Sequence, residues 1–509
     1  MNGAVPLPTR PSVAHEAASD RASLGMAGYA LLFAPYLTAV LLAGAPLASF
    51  SVAWAGSLFI LWLSLSGRVK SFARGDTALD EILRPIALTQ ILFVTYNFAG
   101  SIFYVADLFG YYYFERLSEV VVPYTEVAMV AEAQRYYVLA HAGIVAGVLA
   151  AMDYRRSGEW QVRPLRNPPL VLFVLAVLTH LGAEALGIGN QFAGRLDRFS
   201  LIATILGLAL ALVERRWSLI LVGSALYMFS ISEALLSGWK EEVLTPVLLL
   251  AVFLYPYAKR LILIGAPIAL VFLLAVLPAY TNVVRSMSWR GGEAAETGAA
   301  VAVEEIREGG IDLGEANWSF LSYRLTQVSM FTEFIHWVDA GGGYYGSKIL
   351  EQAAIGLVPR ALWAEKPNME VLAMERIYAM GVVETYSDVS AKSPYVVDGY
   401  LSYGAAGVAL FGLLFGLLAS WASRACERWF GGYLWGSGLV FTAMFTVFWK
   451  GSGFEFFFNT VLWSFILLVP LFWIGRATGV LVRRDDLEED AAEVDALEAI
   501  TPGAAPRFA

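Results

Sequence analysis

The stretch Arg260–Tyr280, RLILIGAPIALVFLLAVLPAY, decides the fold class. After its opening arginine it runs twenty residues without a charge. As a helix that run reaches about 30 Å, the thickness of a bilayer's hydrocarbon core. It has no polar face, so a soluble core helix would leave it half stranded in water. Working outward, apolar runs of similar kind recur near 26–46, 49–66, 85–106, 133–152, 168–188, 199–213, 217–236, 243–258, 399–421, 432–449 and 457–480, making twelve with 260–280. The whole chain agrees: 509 residues, 58% hydrophobic, 16% charged, mean hydropathy +0.60. The expected fold is an all-α polytopic membrane protein with about twelve transmembrane helices.

Composition also excludes several classes. One cysteine, Cys426, leaves no internal disulfide and no thiolate metal cluster. The four histidines (His15, His141, His180, His336) lie far apart, without metal-ligand spacing, so no metal or other cofactor is expected. A net charge of −9 speaks against nucleic acid as a partner. Much of it sits from Asp485 onward, where eight carboxylates meet one arginine. Residues 481–509 therefore read as an acidic, solvated tail, and 1–24 as a disordered N-terminal segment without a cleavable signal peptide.

The positive-inside rule orients the bundle. With the N-terminus in the cytoplasm, cytoplasmic loops carry Arg68, Lys70, Arg74 and Arg84, then Arg155, Arg156, Arg163 and Arg166, then Arg215 and Arg216, Lys259 and Arg260, and Arg424 and Arg428. Arg476, Arg483 and Arg484 flank the last span. Both termini are thus expected inside. The chain divides into helices 25–280, a large outer loop 281–398 and helices 399–480.

The outer loop holds nine Lys/Arg against sixteen Asp/Glu, net −7, so its cations are not a general basic coat. Three helices are expected in it. NWSFLSYRLTQVSMFTEFIHWVD (317–339) places Leu321, Leu325, Val328, Phe331, Ile335 and Val338 on one face, with Asn317 as a possible cap and Gly341–Gly343 as the stop. SKILEQAAIG (347–356) and MEVLAMERIYAM (369–380) follow. The loop is expected to form a folded cap over the membrane domain.

Arg285 and Arg290, in NVVRSMSWRGG, leave the span at headgroup depth. A guanidinium fork suits phosphate oxygens and stays charged. Arg324 and Arg360 join them as candidates for a pyrophosphate site. Trp289 and Trp363 suit either an interfacial belt or stacking on a sugar. In LVPRALWAEKP (357–367), prolines stiffen both ends of a segment holding Arg360, Trp363 and Lys366. Lys240, in SGWKEE, either joins the site or pairs with Glu241 or Glu242; Lys450 is comparable. His336 is a candidate general base or an ordinary helix-surface histidine. Glu184 and Glu233 lie within spans, where carboxylates are costly, yet near the outer ends, where snorkelling accounts for them.

The string Pro359, Arg360, Trp363, Lys366, Pro367, followed by Tyr400, Tyr403, Gly404 and Gly407 in VDGYLSYGAAGVALFGLLFG, resembles bacterial oligosaccharide repeat-unit polymerases of the Wzy type. The likeness fits residues 230–475 best; SYG stands where that family often has Asn-Phe-Gly. The resemblance implies metal-independent glycosyl transfer at the periplasmic face of the bacterial inner membrane. The substrate it implies is undecaprenyl-pyrophosphate-linked oligosaccharide, with a flippase and a chain-length regulator as pathway partners. Arg324, Arg360 and His336 would be catalytic; Arg285, Arg290, Lys366, Trp363 and Lys240 would bind pyrophosphate and glycan. An O-antigen ligase-like transferase uses the same donor and stays open as an alternative, as does a polysaccharide or lipid transporter.

Overall fold

The computed structural model describes residues 24–487 apart from 74–75, 155–157, 188–191, 360–361 and 384–391, and apart from the side chain of Arg290. The described residues are mainly helical. In order come α1 (Gly25–Leu41), α2 (Pro46–Leu65), α3 (Pro85–Leu108), α4 (Tyr124–Ala151), α5 (Pro168–Leu186), α6 (Ala193–Val213), α7 (Trp217–Leu236), α8 (Lys240–Leu254) and α9 (Lys259–Arg285). Then follow α10 (Ala295–Glu308), α11 (Leu313–Ser319), α12 (Val328–Trp337), α13 (Lys348–Leu357), α14 (Met369–Ala379) and α15 (Tyr395–Trp429). Three short pieces, Tyr433–Phe441, Thr442–Met444 and Thr446–Lys450, lead to α16 (Phe454–Ala477). Proline opens α2, α3 and α5, where its missing N–H costs no helical bond.

Eight of these helices, α2, α3, α5, α6, α7, α9, α15 and α16, are long and apolar enough to cross a membrane. The other four expected runs differ for physical reasons. α1 is apolar but has 17 residues, and α8 has 15. The run 432–449 is broken into its short pieces. α4 is long but less apolar, because other helices enclose it: every residue from Tyr137 to Leu149 is buried.

α4 and α15 form the central pair. Gly143 and Gly147 of α4 face Gly412 and Gly416 of α15, a small-xxx-small pattern on each side that lets the backbones approach. A Cβ at Gly147 would sit 2.3 Å from the Leu413 carbonyl oxygen, and one at Gly416 would sit 2.1 Å from that of Ile144. Ser420 Oγ donates to the Val148 carbonyl across the same seam, 2.9 Å.

α15 is interrupted within the SYG sequence, where Gly404 adopts φ +58 and ψ −140. The interruption frees the Leu401 carbonyl, which accepts from Tyr345 N–H at 2.7 Å. Irregular backbone in such a helix is tolerated where protein buries and satisfies it. Tyr400 packs here against Tyr136, Phe331 and Tyr344.

The loops at one end of the bundle meet one another. Lys70 Nζ donates to the Leu149 carbonyl (2.8 Å), and Arg84 pairs with Glu427 (2.7 Å). Arg424 pairs with Asp153 and Arg428 with Glu159. Leu481–Arg483 forms antiparallel strand pairing with Trp160–Val162. The expected solvated tail therefore begins with an ordered strand, because its first residues find a partner edge. A two-residue hairpin, Tyr111–Tyr112 with Glu115–Arg116, is the other sheet among the described residues. Residues 1–23 and 488–509 lie outside the described residues.

The segment 286–394 packs onto the other end. Its first amphipathic run is not the single helix expected over 317–339. α11 starts earlier, capped by Asp312, whose side chain accepts from Glu315 N–H. A π-turn spans Phe320–Arg324, and the helix stops before Thr326, whose hydroxyl accepts from Val328 N–H. Gly100 explains the stop: a Cβ there would lie 2.9 Å from Thr326 N, so the backbone seats directly on α3. α12 then buries Val328, Phe331, Phe334 and Ile335, with Phe331 against Tyr137 of α4. Arg376 of α14 is buried with Glu455 (2.8 Å) and Asp398 (3.4 Å), fastening α14 to the starts of α16 and α15.

Candidate functional site

Three separate segments bring cations together at the end covered by 286–394. The first is the turn after α7. Gly238, at φ +70, reverses the chain, and Ser237 Oγ accepts from Trp239 N–H at 3.1 Å. The second is the end of α9. Arg285 Nε donates to the Gly238 carbonyl at 2.8 Å. Its guanidinium lies beside a pair of indoles, 4.9 Å from the Trp239 ring centre and 4.7 Å from that of Trp289, whose own centres are 5.0 Å apart. The π-turn Ser286–Arg290 carries Trp289 into that position. The third is the π-turn Phe320–Arg324. The Phe320 ring lies 4.3 Å from Lys240 Nζ, and Arg324 closes the turn, exposed to solvent.

The electrostatics follow from this convergence. Burial, then the charges of Arg285 and Arg324, push the Lys240 ammonium down to about 7. Among the described residues, no carboxylate lies within ion-pair distance of Lys240, Arg285 or Arg324. The adjacent acids are engaged elsewhere. Glu241 accepts from Tyr96 (3.3 Å) and faces Lys450 (3.4 Å); Glu242 pairs with Arg198 (3.0 Å). The Glu241 charge reaches Arg285 but makes no ion pair with it, and holding three like charges together at this distance from a counter-ion costs free energy, which an anion of more than one charge would relieve. The neighbouring indole pair and the bond to Gly238 hold Arg285 and leave its two Nη groups without a hydrogen-bond partner among the described residues. A fixed fork, a second guanidinium and a lysine on three segments fit a diphosphate better than a single carboxylate.

The structure thus groups Arg285, Arg324, Lys240 and Trp289. Other expected site residues lie elsewhere. Lys366 is buried, and its Nζ donates to the carbonyls of Gly356 (2.6 Å) and Val358 (2.8 Å). It closes the C-terminus of α13 and holds backbone. Trp363 is exposed on the neighbouring turn, and His336 is exposed on α12. No contact links Trp363, Lys366 or His336 to the cationic group among the described residues. Arg360 and the Arg290 side chain lie outside the described residues.

Sequence reading missed Trp239, Phe320 and Tyr96. SGWKEE did carry a signal for Trp239, an aromatic beside a lysine in a short turn. Phe320 and Tyr96 gave none, because π-turns direct them and a simple helical period does not show these. The buried Arg376 group was also hidden, since Arg376 sits in an ordinary amphipathic pattern. Glu184 and Glu233, expected to snorkel, line one cavity with His180.

Among the described residues, the fold and this site define a helical protein with eight helices fit to cross a membrane and, at one end, a cationic group without an ion pair. Across residues 34–483 the chain belongs to the family described as a domain of unknown function, DUF8712. No curated protein and no solved structure matches it.

Proposed function

We propose that the chain polymerises undecaprenyl-pyrophosphate-linked oligosaccharide repeat units at the periplasmic face of the bacterial inner membrane. The observation that carries the reading is the group Lys240, Arg285 and Arg324, cations from three segments with no carboxylate within ion-pair distance among the described residues. In this reading, α1, α4, the run 243–258 and the run 432–449 complete twelve spans, Lys240 stands outside them, and both termini are cytoplasmic. The loops that meet through Arg84–Glu427, Arg424–Asp153 and strand 481–483 form the cytoplasmic end. Segment 281–398 is the periplasmic cap.

The donor's pyrophosphate lies on Arg285, Arg324 and Lys240. As the bond from the sugar's anomeric carbon to the pyrophosphate breaks, negative charge grows on the leaving oxygen. The Arg285 guanidinium, already held in place, stabilises that charge with little reorganisation, and Arg324 and Lys240 add positive charge beside it. The indoles of Trp239 and Trp289 and the Gly238 carbonyl keep Arg285 positioned.

The glycan ladder of cells lacking this chain tests the reading. Lipid-linked single repeats in place of long glycans are expected. Unattached long chains would assign the ligase activity instead. An unchanged ladder, or repeats trapped on the cytoplasmic side as loss of a transporter would leave them, would refute the proposal.

A further inference from the structure

An aromatic and acidic patch lies where α3 ends. There an antiparallel hairpin pairs Tyr111 with Arg116 and Tyr112 with Glu115, so Tyr113 and Phe114 form its two-residue turn. Both take positive φ, +45 and +67. A turn with two positive φ values ordinarily takes Asn-Gly, and a bulky residue there strains the backbone. Such strain persists where neighbours enforce it, and it points to function. What the turn holds is a group of rings. Trp318 of α11 is buried, with the rings of Tyr112, Tyr113 and Phe114 at 5.6, 5.1 and 6.4 Å. Tyr113 Oη donates to the Gly314 carbonyl at 3.1 Å. Phe114, at the tip, is 62% exposed, and Tyr323 is 49% exposed. Carboxylates stand among these rings. Asp107 accepts from Trp318 Nε1 (2.6 Å) and from the Tyr323 hydroxyl. The charges of Asp107 and Glu126 reach Tyr323, and that of Glu333 reaches Tyr104, which meets Tyr323 edge-on at 5.8 Å.

Two elements join the patch to the cationic group. Tyr323 precedes Arg324 in the π-turn whose Phe320 ring lies against Lys240. α3 runs from Tyr96, which donates to Glu241 beside Lys240, to Asp107, eleven residues or about 16 Å further along. An oligosaccharide hanging from a pyrophosphate on the cations reaches that far. Resting on the donor reading above, we propose that the patch binds the saccharide carried on the pyrophosphate, and that the sugars it takes are uncharged. The exposed rings offer flat apolar surface to the C–H face of a sugar, while carboxylates and phenol hydroxyls meet its hydroxyl groups. Charge selects the class. Residues 107–126 hold four carboxylates and one arginine, and the charges of Asp312 and Glu315 reach Tyr112. That acidic rim repels uronic acids and anionic lipid headgroups alike, whereas a neutral hydroxyl donates to it.

The test uses the full chain in nanodiscs and two probes with one head group: bare undecaprenyl pyrophosphate, and lipid-linked repeats extracted from cells lacking the chain. The wild type is expected to bind the repeat about tenfold tighter than the bare lipid. F114G removes the exposed ring and relieves the turn. It should melt no lower than the wild type, bind the bare lipid equally and lose the preference. F114W should keep the preference, and sugar analysis should find the repeat uncharged. Equal wild-type affinity for both probes, a preference intact in F114G, or an acidic repeat overturns the inference and leaves the donor reading standing. A preference lost in step with melting temperature assigns the rings to packing and also overturns it. So does quenching of F114W fluorescence by brominated lipids, which would place the patch in the bilayer. A wild-type chain that binds neither probe refutes the donor reading, and this inference with it.

Discussion

At the scale of the residue, Lys240 is the most informative side chain. Its ammonium is held at about 7, against 10.5 for an ordinary lysine, by burial and by Arg285 and Arg324. Between those values the unfolded chain binds the proton more tightly than the native one, so stability rises with pH across the window. Below pH 7 the charged group costs stability in full. K240M should therefore melt above the wild type at pH 6, and the gap should close towards pH 10. Anion binding should run the opposite way. Wild-type affinity for undecaprenyl pyrophosphate falls as pH rises through 7, while K240M shows only the ligand's own ionisation. Thermal melts and binding isotherms at matched pH check both. Arg285 and Arg324 make a sharper case, since lysine keeps the charge and loses the fork. R285K and R324K are each expected to weaken probe binding about tenfold or more, with expression unchanged.

At the scale of the element, the seam between α4 and α15 holds the bundle's centre. G416V drives side-chain atoms into the Ile144 carbonyl and should destabilise by about 3 kcal/mol or more, with little folded protein recovered. G265A, where a Cβ meets nothing within 4 Å, should be silent. The segment 286–394 depends on its own fastenings. R376A leaves Asp398 and Glu455 buried without their cation and should cost about 3–5 kcal/mol. K366M should lower melting temperature and activity together, because Lys366 holds the end of α13. Size-exclusion profiles and melts in detergent measure all four variants.

At the scale of the whole molecule, most helices were legible because lipid solubility leaves a plain mark: an uninterrupted apolar run. The runs at 168–188, 217–236 and 260–280 matched α5, α7 and α9 closely. α4 left a weaker mark, because a helix enclosed by protein answers to packing partners and tolerates Gln134, His141 and glycines. The breaks at Thr326, Gly404 and through 433–450 were illegible, since each depends on a contact far away in sequence, such as Gly100 beneath Thr326. The site was half legible for the same reason. Arg285, Arg324 and Lys240 announce themselves as cations near apolar ends, but which of the nine cations of 281–398 converge with Lys240 is a property of the folded chain. Topology is open to direct measurement, because the one native cysteine, Cys426, is buried. E308C should react with a membrane-impermeant maleimide from the periplasmic side, and D485C only after the membrane is opened.

The most direct measurement of the central claim is polymerisation by the purified chain in liposomes, supplied with lipid-linked repeats, for the wild type and for R285A/R324A. The account predicts a ladder of long glycans from the wild type, release of undecaprenyl pyrophosphate, and neither product from the variant folded to the wild-type melting temperature. A wild-type chain that makes no glycan longer than its substrate, or a folded variant that polymerises as fast as the wild type, would contradict it.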